Sequence, residues 1–284
     1  FTENLAYEGF TVDGQTVPTM DKQNGASVSQ QALLDPDTYE ALGCDFDVEW
    51  SMNNGTNYPD KYPVLTYGSY SASPIHNLTA VLSGENGSAV SFSWYYVSGK
   101  TMSIRLATAE DFSNGRTYTA TARGSRYIRE VTDLNPNTTY YYRVEGDGQV
   151  SQTGTFTTAS DDGTFTFLAL GDTEAKDIFE ANTAGDTLTA ARNMVPHASF
   201  LLHTGDFVTG NRGAEGWKEF LFCASDSLYK LPLVPTKGEE DTAFADYFNL
   251  KNTYYSFDYG NAHMIVLDTE ALTDTQLAWL KTDV

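Results

Sequence analysis

Alternation of apolar and polar side chains marks the chain from about Tyr70 to Thr158. Ala89-Val-Ser-Phe-Ser-Trp94 and Thr101-Met-Ser-Ile-Arg-Leu106 switch faces at every residue, the period of a half-buried strand. Arg116-Thr-Tyr-Thr-Ala-Thr121 is rich in β-formers. Thr139-Tyr-Tyr-Tyr-Arg-Val144 is the strongest strand, and Gly154-Thr-Phe-Thr-Thr158 closes the set. Short strands at this spacing, with turn residues between them, predict a β-sandwich over residues 71–159. The polar linker Ser160-Asp-Asp-Gly163 then leads into a different pattern. Thr164–Leu170, Ser199–His203 and Leu231–Val234 read as buried strands. They alternate with helices over Ala184–Val195 and Gly213–Leu228, the second placing Trp217, Phe220, Leu221 and Ala224 on one face. That alternation predicts parallel βαβ units and an α/β domain over 164–284. Tyr254–Tyr259 and His263–Asp268 form a strand pair turning at Gly260-Asn261. The capping box Thr273-Asp-Thr-Gln276 opens a last helix, with Leu277, Leu280 and Val284 expected on its inner face.

Residues 1–70 carry weak periodicity and form an extension of unclear fold, with one short helix expected over Pro36–Gly43. Within the sandwich, the turn Leu134-Asn-Pro-Asn137 and the strand that follows resemble the strand pair of a fibronectin type III domain. A tyrosine there, Tyr140 or Tyr142, is expected to tie the preceding turn back through its hydroxyl. The last helix runs into the end of the sequence after three parallel strands and one hairpin. This predicts an α/β domain present as its front portion.

Charge sharpens the picture. Thirty-eight acids face seventeen bases in 284 residues, a formal charge of −21. A chain this acidic is a poor partner for nucleic acid or an anionic membrane, both of which need a basic face. No apolar run is long enough to span a bilayer, so no membrane insertion is expected. The sequence opens at Phe1, which reads as a trimmed, secreted or surface protein. Cys44 and Cys223, assigned to different domains, are expected to stay unpaired.

In open parallel sheets, ligands collect at the C-terminal ends of the strands. The loops there read Gly171-Asp172-Thr-Glu174, Gly205-Asp206-Phe-Val-Thr209 and Gly238-Glu239-Glu240-Asp241. Each sets a glycine, for close backbone approach, beside a carboxylate at the sheet rim. Carboxylates converging from three loops call for a cation. Asp172 and Asp206 could otherwise serve as helix caps or turn formers, and Glu239 and Glu240 as a solvated acidic turn. Thr209 and Glu174 are further candidates for contact with substrate or with water on a metal. His203 and His263 read as structural.

Taken in order, Leu168–Asp172, Leu202-His-Thr-Gly-Asp-Phe-Val208 and Pro235-Thr-Lys-Gly-Glu-Glu-Asp241 resemble the first three signature blocks of the calcineurin-like metallophosphoesterases. The hairpin Asn252–His263 with Ile265–Glu270 is similar to the purple acid phosphatase branch, which also carries a fibronectin-like domain before the catalytic one. The resemblance covers roughly residues 72–284. It implies an incomplete αββα sandwich holding two divalent or trivalent metal ions (Fe, Zn, Mn or Mg). It implies hydrolysis of a small phosphorylated substrate, a phosphate monoester, by a metal-bound hydroxide. By the same resemblance Asp172 binds one metal, Asp206 bridges both, and Thr209 replaces the tyrosinate of the purple enzymes. The third block departs from the usual Asn-His: Glu239 stands at the ligand position for the second metal, and Glu240 at the catalytic position that assists the phosphate. Alternatives are a phosphodiesterase or nucleotidase of the same family, and a non-catalytic module of a secreted or surface protein binding a carbohydrate or protein partner.

Overall fold

The computed structural model describes residues 74–83, 88–160 and 163–284, with short stretches at 5–7, 11–12, 15–16, 26–29, 32, 35, 50–52 and 63–65. The chain divides into two compact units, Phe1–Ala72 and Ser73–Val284. In the first, β1 (Leu5–Tyr7) pairs in parallel with β4 (Ala26–Val28). β2 (Thr11–Val12) and β3 (Gln15–Thr16) form an antiparallel pair, as do β5 (Trp50–Met52) and β6 (Pro63–Leu65). The helix expected over Pro36–Gly43 lies outside the described residues, as does Cys44. Cys223 is a free thiol, which burial pushes up to about 12.

The second unit opens with the sandwich that the alternation predicts. One sheet begins with β7 (His76–Ser83), β8 (Ala89–Tyr95), β11 (Thr121–Arg123) and β12 (Arg126–Val131), in the order β11-β12-β8-β7. The facing sheet runs β10 (Arg116–Thr119), β9 (Met102–Ala107), β13 (Thr139–Gly146), β14 (Gln149–Val150), with β15 (Gly154–Thr157) also on β13. Phe92, Trp94, Ile104, Tyr142, Val144 and Phe156 fill the space between them. Tyr140 is the corner tyrosine: its hydroxyl accepts from the Asn135 N–H at 2.9 Å. Tyr142, two residues on, is buried against Phe92 and Phe156.

The α/β elements follow: β16 (Leu168–Leu170), α1 (Ile178–Met194), β17 (Leu201–His203), α2 (Gly213–Cys223), α3 (Ser225–Leu228), β18 (Leu233–Pro235) and α4 (Phe244–Phe248). The hairpin β19 (Tyr255–Tyr259) and β20 (Ala262–Val266) precedes α5 (Asp274–Asp283). Strands β18-β17-β16 are parallel and continue the sandwich sheet, because β18 pairs in parallel with β7 at Leu233 and Val81. Strand β7 is therefore buried on both faces. Ala80 and Leu82 point into the sandwich core, and Val81 points into a second core against α1, α2 and Trp217.

Three expectations are corrected. The strand after the linker is confined to its apolar end, Leu168–Leu170. The first helix begins at Ile178, because the Asp177 side chain caps it by accepting from the Glu180 N–H. Gly185 lies inside this helix, where a Cβ would overlap the Cys223 carbonyl of α2. In the last helix the buried residue is Gln276, while Leu277 and Val284 are exposed. The capping bond from the Gln276 N–H to Thr273 Oγ1 forms as expected. The Gln276 amide also donates to the carbonyls of Asp268 and Ala271 and accepts from the Asp268 N–H, so polar bonds rather than apolar burial seat this helix.

His263 lies between two carboxylates, Nδ1 at 2.6 Å from Asp258 and Nε2 at 3.1 Å from Asp283. Those hydrogen bonds raise its pKa above the ordinary 6.5. A raised folded-state value means that the contact stabilises fully below the unfolded value and is lost as pH rises through the folded one. An NMR titration of the four histidines is expected to show His263 titrating above 6.5, and His263→Gln is expected to flatten the loss of stability with rising pH. A second expectation concerns the corner. Tyr140→Phe leaves the Asn135 N–H without its acceptor, and urea unfolding should show a loss of about 1 kcal/mol.

Candidate metal centre

The rim loops follow β16, β17 and β18, and backbone bonds pull the first two together. Asp172 N–H donates to the Gly205 carbonyl at 3.0 Å, Glu174 N–H to Asp206 at 2.8 Å, and Ala175 N–H to Phe207 at 3.2 Å. Ala175 and Val208 complete this contact as an isolated parallel bridge. Asp172, Glu174 and Asp206 face one another as a result, each offering a carboxylate oxygen within 4.8 Å of the other two. All three hold left-handed backbone, at φ 59°, 38° and 53°. That conformation disfavours residues with a Cβ, and strain of this kind collects at functional sites.

The third loop is fastened to the second by Asp241, which is 1% exposed. One of its oxygens accepts from the N–H groups of Asp206 and Gly238 and the other from Phe207, each at 2.9 Å. Burial pushes the Asp241 carboxyl up. The three backbone bonds pull it back, and the neighbouring Asp206 charge pushes it up again. The approach is tight enough to demand glycine. A Cβ on Gly238 would overlap Asp206, and one on Gly205, at φ 107°, would lie 2.7 Å from the Gly238 nitrogen.

His203 sits under this junction, fully buried and stacked on Phe207. Burial lowers its pKa to about 3, so the ring is neutral. Nδ1 accepts from the Gly205 N–H, which leaves the proton on Nε2, 3.3 Å from Thr173 Oγ1. Thr173 Oγ1 in turn donates to the Phe207 carbonyl at 2.9 Å. The histidine thus braces the first loop against the second, the structural role its position suggests.

The structure brings Asp172 and Asp206 together and adds Glu174, which the sequence offers only as a further candidate. Glu239 is exposed and stands outside that group. Glu240 accepts from the Gly210 N–H through Oε2 at 2.7 Å, and its own N–H donates to Asp206 Oδ1 at 3.2 Å. Its carboxylate therefore holds the second loop. Thr209 uses its hydroxyl on the Glu174 carbonyl at 3.1 Å. Nothing in a Glu-Glu-Asp run marks which acid turns inward, so the sequence points to no role for Asp241. Nor does it single out Lys237, whose Nζ bonds only the Gly238 carbonyl among the described residues. The other rim cations are neutralised, Lys176 by Glu180 and Arg212 by Glu219.

Carboxylate oxygens alone make up the three-residue group, a donor set suited to a hard cation such as Mg2+ or Mn2+. The strained backbone and the mutual repulsion of the three acids are what a bound cation would offset.

No protein-family model matches the sequence, and no curated protein matches it. Solved structures match in shape. The purple acid phosphatase PPD1 from yellow lupin (Lupinus luteus) seeds superposes with a TM-score of 0.57 at 13% identity, over 74% of this chain and 48% of that one. PhoD superposes with a TM-score of 0.50 at 16% identity, over 70% of this chain and 52% of that one. The chain has a purple acid phosphatase-like fold and spans about half the length of these two proteins. No helix among the described residues is long and apolar enough to cross a membrane.

The clamp gives a direct test. Asp241→Ala leaves three loop N–H groups without their acceptor. Urea unfolding of the metal-free protein should show a loss of about 3 kcal/mol, and cation affinity should fall although none of the three clustered carboxylates has been changed.

Proposed function

We propose that the protein is a metal-dependent phosphoesterase of the purple acid phosphatase type, acting on small phosphate monoesters outside the cell. The observation that carries this reading is the convergence of Asp172, Glu174 and Asp206, in left-handed backbone, at the C-terminal ends of parallel strands. The shared fold with a purple acid phosphatase supports the reaction class.

In this reading the three carboxylates would hold one hard cation. A second cation, as in the two-metal phosphatases, would draw on further donors, with Glu239 on the facing loop the nearest candidate in sequence. A bound cation supplies Lewis-acid polarisation of the phosphoryl oxygen and makes water a better nucleophile. The remaining work falls to the chain. Asp241 and the neutral His203 hold the loops in register. Lys237, with no carboxylate partner among the described residues, offers positive charge to a phosphate oxygen and counters the repulsion from a chain of charge −21.

The test is metal content together with turnover of an aryl phosphate in Mg2+ or Mn2+. The full chain is expected to bind at least one cation and to turn over, and Asp206→Ala to lose both. A metal-free protein that still hydrolyses the ester would end the reading.

One observation favours the non-catalytic alternative. Glu240 is committed to the Gly210 N–H, and no imidazole stands in its place to donate a proton. In that reading the parent is inert, and the double change Glu239→Asn with Glu240→His creates turnover. If the parent is already active, the module reading fails.

A further inference from the structure

A second cleft lies far from the rim loops in sequence, at the open edge of the sandwich between β10 and β12, with a volume of about 600 Å3. Its walls carry two arginines from opposite sheets. Arg129 shares a face of β12 with Tyr127 and Val131, both 1% exposed, so its side chain enters the space between the sheets. Arg116 and Tyr118 pair across β9 with Leu106 and Ile104, two core residues, and so face inward from the other sheet. The Arg129 guanidinium lies 5.6 Å from the Tyr118 ring centroid.

Neither arginine is neutralised by a described residue. Among the described residues Arg116 has no ion pair. Arg129 makes one long bond, Nη1 to the Thr119 carbonyl at 3.4 Å, and its Nε is buried with no hydrogen-bond partner. In a chain with 38 acids against 17 bases, two inward guanidiniums left without a carboxylate call for an anion. The cleft is not uniformly basic, because Asp133 also lines it, whereas the Glu130 side chain, next to Arg129 in the strand, turns to the opposite face, within reach of Ser83 Oγ. The Asp133 carboxylate repels a dense dianion and accepts from hydroxyl groups. A hydroxylated monoanion satisfies both halves of the lining, and the volume falls within the range of small-ligand sites.

We infer that this cleft binds an acidic saccharide, with a uronate carboxylate between Arg116 and Arg129 and sugar hydroxyls against Asp133. The site is independent of the metal centre, so its failure would leave the phosphoesterase reading untouched.

The experiment is calorimetric titration of the full chain, in chelator to silence the metal centre, with galacturonate and glucuronate disaccharides. A neutral galactose disaccharide and inorganic phosphate serve as comparators. At least one uronate is expected to bind, with the neutral sugar at least about tenfold weaker. Arg116→Gln and Arg129→Gln should each weaken binding by at least about tenfold, near the tenfold cost of 1.4 kcal/mol, and binding should fall with added salt. Arg116 is exposed, so its variant decides the matter even if Arg129→Gln fails to fold, with near-UV circular dichroism confirming the native state. The inference is overturned if neither uronate binds, if the neutral sugar binds as well, if phosphate alone binds, or if Arg116→Gln binds like the parent.

Discussion

The candidate metal centre depends on one buried carboxylate. Asp241 accepts three backbone N–H groups from two different loops, and without it those donors would be buried and unpaired. Hydrogen bonds to a charged acceptor are worth roughly 1.5–3 kcal/mol each, and these three offset part of the cost of burying the acid, whose carboxyl burial still pushes up. The close approach in turn demands glycine at 205 and 238, and it places the Asp206 N–H on Asp241, with the Asp206 carboxylate turned toward Asp172 and Glu174. Acids of one sequence block thus do unlike work. One is a clamp, one is a latch on Gly210, and one stands in solvent.

The sandwich and the α/β class were legible because their signal is periodic. Alternation along Met102–Leu106 matches the burial of that strand, whereas Ala89–Trp94, expected to be half-buried, is buried on both faces, Ser91 and Ser93 included. The face of Trp217, Phe220, Leu221 and Ala224 is buried as the 3.6 period demands. The tyrosine corner was narrowed to two residues, and the geometry selects Tyr140 because only its hydroxyl reaches the turn. Reading failed where a polar bond replaced apolar burial. Leu277 and Val284 looked like an inner face, yet Gln276 is the residue that seats the helix.

At the centre itself, Asp172 and Asp206 were legible from a glycine and an acid after a buried strand. Glu174 was harder, because its place depends on a backbone ladder between loops that sequence spacing does not encode. Glu239 and Glu240 stand next to each other in sequence, yet one is exposed and the other is spent on a backbone N–H, a difference set by tertiary contact alone. Arg116 and Arg129 were passed over for the opposite reason: an arginine within a strand reads as a solvated side chain until the facing sheet shows that it points inward.

Strand β7 belongs to two cores at once, and its outer edge is covered by a strand made much later in the chain. During synthesis the sandwich can close before β18 exists, with β7 presenting a bare, apolar edge to any other chain. The order in which the ribosome delivers the strands therefore creates a window for edge-to-edge association, and that window shuts when Leu233 docks beside Val81. A fragment ended at the linker would keep it open permanently and would also lack Phe200, Val234 and Phe257, which share the sandwich's core, so the sandwich is not a free-standing part.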